Sequence, residues 1–233
     1  AMVSAYRPSV QLVVGCCSYP YHKGWRNSFI AFDNLKNTLQ YVSGGLMQHF
    51  YSGTGKNLSY TKALFFANKG FYNQLYLKIG EDSLFVNGVA TPQNASVCYT
   101  SESIIQMDEI HRLKSWTIGR IARMANRKLC KNRFYRLFTF EACLYGLFGI
   151  VVLLSMINGF IGNYLLSLYA FLLLGCYYGV KSWVFRRFSR QLGQRIPKGC
   201  FVLLDVTNYM YTLYLGFISR FHRKRNYVFV MEK

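Results

Sequence analysis

Residues 142–180 are 39 consecutive positions without one charged side chain. As a single helix the run would be about 60 Å long, roughly twice the hydrocarbon core of a bilayer. Asn158-Gly159 and Gly162-Asn163 interrupt it near its middle, and such dipeptides mark turns. The pattern predicts two helices, over 137–157 and 164–185, each of about 20 residues and long enough to span. Paired open strands are excluded in lipid, because their edges would leave N–H and C=O groups without partners. A re-entrant pair that dips into the bilayer and returns is the other arrangement compatible with the run.

The flanks orient the pair. Residues 112–136 hold nine basic side chains and no acid: Arg112, Lys114, Arg120, Arg123, Arg127, Lys128, Lys131, Arg133 and Arg136. Lys181, Arg186, Arg187, Arg190, Arg195 and Lys198 follow the second helix. Basic residues close to spans remain on the cytoplasmic or matrix side. Both termini are therefore expected on that side, with only the central turn crossing.

The charge of +19 is unevenly placed: residues 1–111 carry eight basic and six acidic side chains, residues 112–233 carry 20 and three. The second half needs an anionic partner. Basic stretches with interleaved aromatics could also track a nucleic-acid backbone, but their position beside the apolar run favours lipid phosphates. Arg120, Arg123, Arg127, Lys128, Lys131, Arg133 and Arg136 before the first helix, with Lys181, Arg186, Arg187 and Arg190 after the second, are read as lipid-binding.

Outside the run, Leu35, Leu39, Val42, Leu46 and Phe50 recur at helical spacing, predicting a helix over 33–50 capped by Asp33 or Asn34. Residues 10–17 read as a first strand. Short aromatic or β-branched stretches at 62–66, 70–79, 84–86, 89–91 and 96–99, with Asn87-Gly88 as a hairpin signal, predict an antiparallel meander. A long basic amphipathic helix is expected over 103–136. Residues 200–219 carry one charge, Asp205. A third span there would bury Asp205 and Asn208 in lipid and move Arg220, Arg223, Lys224 and Arg225 to the wrong side. Strands over 200–206, 209–218 and 227–231 are the expectation instead. The reading is an α+β membrane protein: an extramembrane helix and meander over 1–111, an interfacial helix over 112–136, a transmembrane helical hairpin over 137–185, and a basic strand region over 186–233.

Chemistry is sparse. Gly53-Thr54-Gly55-Lys56 lacks the earlier Gly and the following Ser or Thr of a phosphate loop; Phe50 and Asn57 stand there. His22, His49, His111 and His222 are scattered, and the seven cysteines show no C-x-x-C spacing, so no metal site, cofactor or disulfide framework is read. The sequons at Asn57 and Asn94 lie on the inner side and are taken as chance. These features predict a non-enzymatic accessory or assembly subunit of a larger membrane complex, of respiratory-chain or ATP-synthase type. An inner mitochondrial membrane would supply cardiolipin as the anionic lipid. The competing readings are a membrane-bound lipid-modifying enzyme using Glu141 and Asp205, and a basic tether holding nucleic acid at the membrane.

Overall fold

The computed structural model describes residues 2–20, 22–77, 79–108, 112–162, 164–197 and 199–221. Among the described residues the chain is mostly helical with two small sheets, and three helices are long and apolar enough to cross a membrane. The described residues up to 134 and from 189 form one compact unit, and those of 135–188 form a second.

The first unit is built around the apolar run at 12–14. Strand β1 (Leu12–Val14) is buried at every position, as a central strand covered on both faces must be. β3 (Leu58–Tyr60) pairs with it antiparallel and β4 (Ala95–Val97) pairs parallel. A two-residue β2 (Cys17–Ser18) pairs parallel with β5 (Ile105–Gln106). The buried Asn57 side chain donates to the carbonyls of Cys16 and Ser103, each at 2.7 Å. The Cys16 carbonyl also accepts the Ile105 N–H of β5, so Asn57 ties the segment before β2 to the turn before β5.

Helix α1 (Trp25–Leu46) begins eight residues before the expected start, so Asp33 lies inside the helix, fully buried, instead of capping it. Gly44 and Gly45 both lie within this helix, buried near its C-terminal end. A Cβ on Gly45 would stand 2.3 Å from Val97 Cγ2, so glycine is what lets α1 approach β4.

The meander expected over 62–99 is not formed among the described residues, where β4 is the one strand of that range. Residues 62–66 lie in helix α2 (Lys62–Ala67), whose N-cap Thr61 accepts the Leu64 N–H; capping outweighs the strand propensity of the phenylalanines. Those aromatics instead make a cluster in which Phe65 and Phe85 stack around Tyr60 and Phe71. Residues 84–86 and Asn87-Gly88 lie in α3 (Glu81–Val89), which begins after Gly80 in the left-handed region, with Glu81 and Asp82 in its first turn. Buried Asn87 donates to the carbonyls of Tyr51 and Asn132 and accepts the Asn132 N–H. Tertiary partners, absent from the local pattern, turned a hairpin signal into a helix.

The long helix expected over 103–136 is shorter. Helix α4 (Leu113–Asn126) ends in a 3-10 turn at Arg127–Leu129. The strands expected at 200–206 and 209–218 are corrected to one helix, α7 (Phe201–Phe221). Its buried residues Phe201, Leu204, Asp205, Asn208 and Leu215 recur at offsets of three, four and seven, which a helix, and not a strand, places on one face. The strand expected at 227–231 lies outside the described residues. Helix α7 packs on α1 and α4 of the same unit.

The second unit contains helix α5 (Tyr135–Ile161) and most of α6 (Tyr164–Gln191). They run antiparallel: the hydroxyls of Tyr145 and Tyr178 lie 2.6 Å apart, and Ser167 Oγ donates to the Met156 carbonyl at 3.4 Å. Near the turn, a Cβ on Gly159 would sit 1.5 Å from Ser167 Oγ. Small residues permit such close approach between membrane helices.

Gly45→Ala is expected to destabilise the first unit despite alanine's better helix propensity, because overpacking costs about 1–3 kcal/mol. The double variant Gly45→Ala/Val97→Ala should recover part of the loss in thermal melts; no recovery would place the strain elsewhere.

Candidate functional site

The first unit contains a buried polar centre. Asp33, on α1, is 0% exposed. Its Oδ1 accepts from Asn208 Nδ2 of α7 at 2.8 Å, and its Oδ2 accepts from Trp116 Nε1 of α4 at 2.8 Å. Arg120 Nε stands 3.0 Å from Oδ2, an ion pair with both side chains buried. One turn along α1, Asn37 Oδ1 accepts from the Arg120 guanidinium at 2.6 Å while its amide donates to the Asp33 carbonyl. A single carboxylate thus joins three helices. The half-buried Arg123 lies with its guanidinium 5.8 Å from the Trp116 ring centre. Desolvation lowers its pKa, with the neighbouring Arg120 charge as the second cause.

Of the eleven side chains expected to bind lipid, Arg120 is committed inside this centre, and Arg123 and Arg127 are partly covered. Lys128, Lys131, Arg133, Arg136, Arg186, Arg187 and Arg190 are exposed. Lys181 is partly covered, its ammonium 4.5 Å from the Tyr145 ring centre and within 3.1 Å of the Tyr177 hydroxyl. Arg187 lies over the Trp183 ring at 5.8 Å. Within the second unit the Tyr145–Tyr178 and Met156–Ser167 contacts set the antiparallel register. That register places Arg136, at the start of α5, at the same end as Arg186 and Arg187.

The two carboxylates of the enzymatic alternative stand in opposite surroundings. Glu141 is exposed on α5, and Asp205 is fully buried on α7. In the Gly53-Thr54-Gly55-Lys56 loop, the Gly55 N–H donates to the Asp82 carboxylate at 2.5 Å, so a resident anion already holds it. His49 stacks on Phe134 with ring centres 4.6 Å apart; His22 is exposed, and His111 and His222 lie outside the described residues. Among the described residues no group of three or more His, Cys, Asp or Glu side chains converges to hold a metal.

Burial pushes the Cys16 thiol and the Tyr19 hydroxyl each up to about 12, and raises Cys17 and Cys130. Thiols so shifted are poor nucleophiles near neutrality. No family model, curated protein or solved structure matches this chain.

The Asp33 centre was not anticipated from sequence. Its signals were weak but present: Asp33 and Asn37 one turn apart in an apolar helix, and Asp205 and Asn208 at helical spacing in an otherwise apolar segment.

Two outcomes follow from this geometry. Asp33→Ala leaves Arg120 buried without its carboxylate and should cost about 3–5 kcal/mol; Asp33→Leu/Arg120→Met should recover part of that in a double-mutant cycle. An undiminished melting temperature for Asp33→Ala would show that the centre contributes nothing to stability. Separately, Cys16 and Tyr19 stay protonated in the fold where the unfolded chain ionises, from ordinary values of 9.0 and 10.0. Their contribution is complete below pH 9 and is lost as pH rises toward 12. Melting temperature should fall through that window, and Cys16→Ala should make the fall shallower.

Proposed function

We propose that the protein is a non-enzymatic integral membrane subunit, accessory to or assembling a larger membrane complex. In this reading α5 and α6 cross the bilayer as a hairpin, anionic phospholipid binds the basic side chains around them, and the first unit meets partner subunits on the positive side. A respiratory-chain or ATP-synthase complex of the inner mitochondrial membrane is the assembly that suits the basic balance, with cardiolipin as the lipid.

One observation carries the reading: an outward apolar surface ends in exposed arginines. On α5 and α6, Leu147, Ile150, Leu153, Leu165 and Leu172 are each 57–63% exposed. In water such a surface would be an unstable patch; in hydrocarbon it is the ground state. Arg136, Arg186 and Arg187 gather at the end opposite the turn, where anionic headgroups would meet them. Residues 112–233 contain only Glu141, Asp205 and Glu232 as acids, and Asp205 is buried in the first unit. In this reading lipid or an acidic partner supplies the counter-charge.

Each basic side chain near an anionic surface contributes at most about 1 kcal/mol. Arg186→Gln/Arg187→Gln/Arg190→Gln should therefore weaken cardiolipin or phosphatidylserine retention by up to a hundredfold at low salt, and by less as salt screens the pairs. Native lipid mass spectrometry reads this directly. Unchanged retention together with lost co-purifying subunits would transfer the arginines to protein contacts. Monodisperse protein that purifies from native membranes with no partner would defeat the subunit assignment.

A further inference from the structure

Helix α7 is apolar on both sides. Its inner face buries Asp205 and Asn208 among Phe201, Leu204 and Leu215. Its outer face presents Val206, Met210, Leu213, Tyr214, Phe217 and Phe221, from 37% to 72% exposed. At 100° per residue these outer positions fall on one side of the helix, and the buried positions fall on the other. A helix on a water-facing surface would carry polar side chains on that outer stripe.

Length and composition would allow α7 to cross a bilayer, but its inner face is engaged along most of its length. Phe201 packs edge-on against Phe32 of α1, with centres 5.7 Å apart. Asn208 donates to Asp33 of α1 at 2.8 Å. Tyr211 packs on Phe29 at 5.1 Å and donates to Thr117 of α4 at 3.0 Å, and Leu215 is fully buried. A crossing α7 would carry α1 and α4 into hydrocarbon with it. α4 has only 14 residues and bears exposed Lys114; α1 bears exposed Arg26. Neither could remain at the bilayer centre without large cost.

We propose that α7 is not a third span but an in-plane membrane helix, which beds the outer face of the first unit in the interfacial layer of an anionic phospholipid bilayer. Charge complementarity selects this occupant. Among the described residues of 189–221, Arg190, Arg195 and Arg220 are exposed, and the sole acid, Asp205, is buried. An apolar stripe with basic side chains about it is the composition of an interfacial helix. Residues at both ends of α7 then stay on one side of the membrane, in keeping with the basic residues that precede and follow it. The inference rests on the membrane reading above, and it assigns the lipid contact to a surface that reading does not use.

The test is depth measurement by spin labelling of the full chain in liposomes of phosphatidylcholine and phosphatidylglycerol, with Cys130, Cys143, Cys176 and Cys200 replaced by alanine. Labels go in turn at Val206→Cys, Met210→Cys and Phe217→Cys, with Ile150→Cys on α5 as the reference, and collision with oxygen and a water-soluble nickel chelate gives depth. The expected result is a deep label at 150 and three shallow, oxygen-accessible labels of nearly equal depth on α7. A depth changing by about 16 Å between 206 and 217 would make α7 a span and overturn the proposal. Water-accessible labels on α7 beside a deep 150 would also overturn it. So would labels shielded from both colliders, which indicate a protein occupant such as a second copy. A water-accessible 150 would sink the membrane reading itself, a separate failure. As a second measurement, Met210→Glu/Phe217→Glu leaves the inner contacts untouched. It should reduce lipid accessibility of a label at 206 at least several-fold while the label at 150 stays deep; unchanged accessibility would count against the outer face as the docking surface.

Discussion

The first unit depends on one buried carboxylate. Asp33 accepts hydrogen bonds from Trp116 and Asn208 and forms an ion pair with Arg120, and through them α1, α4 and α7 share a centre. A buried ion pair is weak evidence of net stability, because desolvation offsets most of the attraction. Its stronger effect is geometric. An apolar α7 could slide or rotate against its neighbours at little cost, whereas Asn208 can meet Asp33 in one register only. The polar residues of α7 therefore decide which face it turns inward, and by exclusion which face it turns out.

That exclusion links packing to the membrane. With Asp205 and Asn208 turned inward beside Phe201, Leu204 and Leu215, the remaining apolar side chains of α7 are left on its outer face. On α5 and α6, outward apolar side chains surround a contact made by tyrosines, a serine and a glycine. The small sheet around β1 instead has Leu12, Val13 and Val14 fully enclosed. Among the described residues one chain thus contains an enclosed apolar sheet and three helices apolar enough to cross a membrane.

The sequence alone determined the uncharged run at 142–180, its central break, the basic flanks and the first strand. These rest on composition and on local backbone preference, which need no knowledge of distant residues. Two helices form on either side of the break, but α5 continues through Asn158 and Gly159 to Ile161, and α6 runs past Arg186, Arg187 and Arg190 to Gln191. The sequence alone did not determine the middle of the chain. Residues 62–66 and 84–88 have strand-like side chains, yet they fold as helices because Thr61 caps one and buried Asn87 finds its partners at Tyr51 and Asn132. The same holds for Asp205 and Asn208, which read as obstacles to a span and so suggested strands. Only the tertiary structure supplied Asp33, 175 residues from Asn208 along the chain. A polar side chain's cost or benefit is set by the partner that meets it, and that partner cannot be read from its neighbours in sequence.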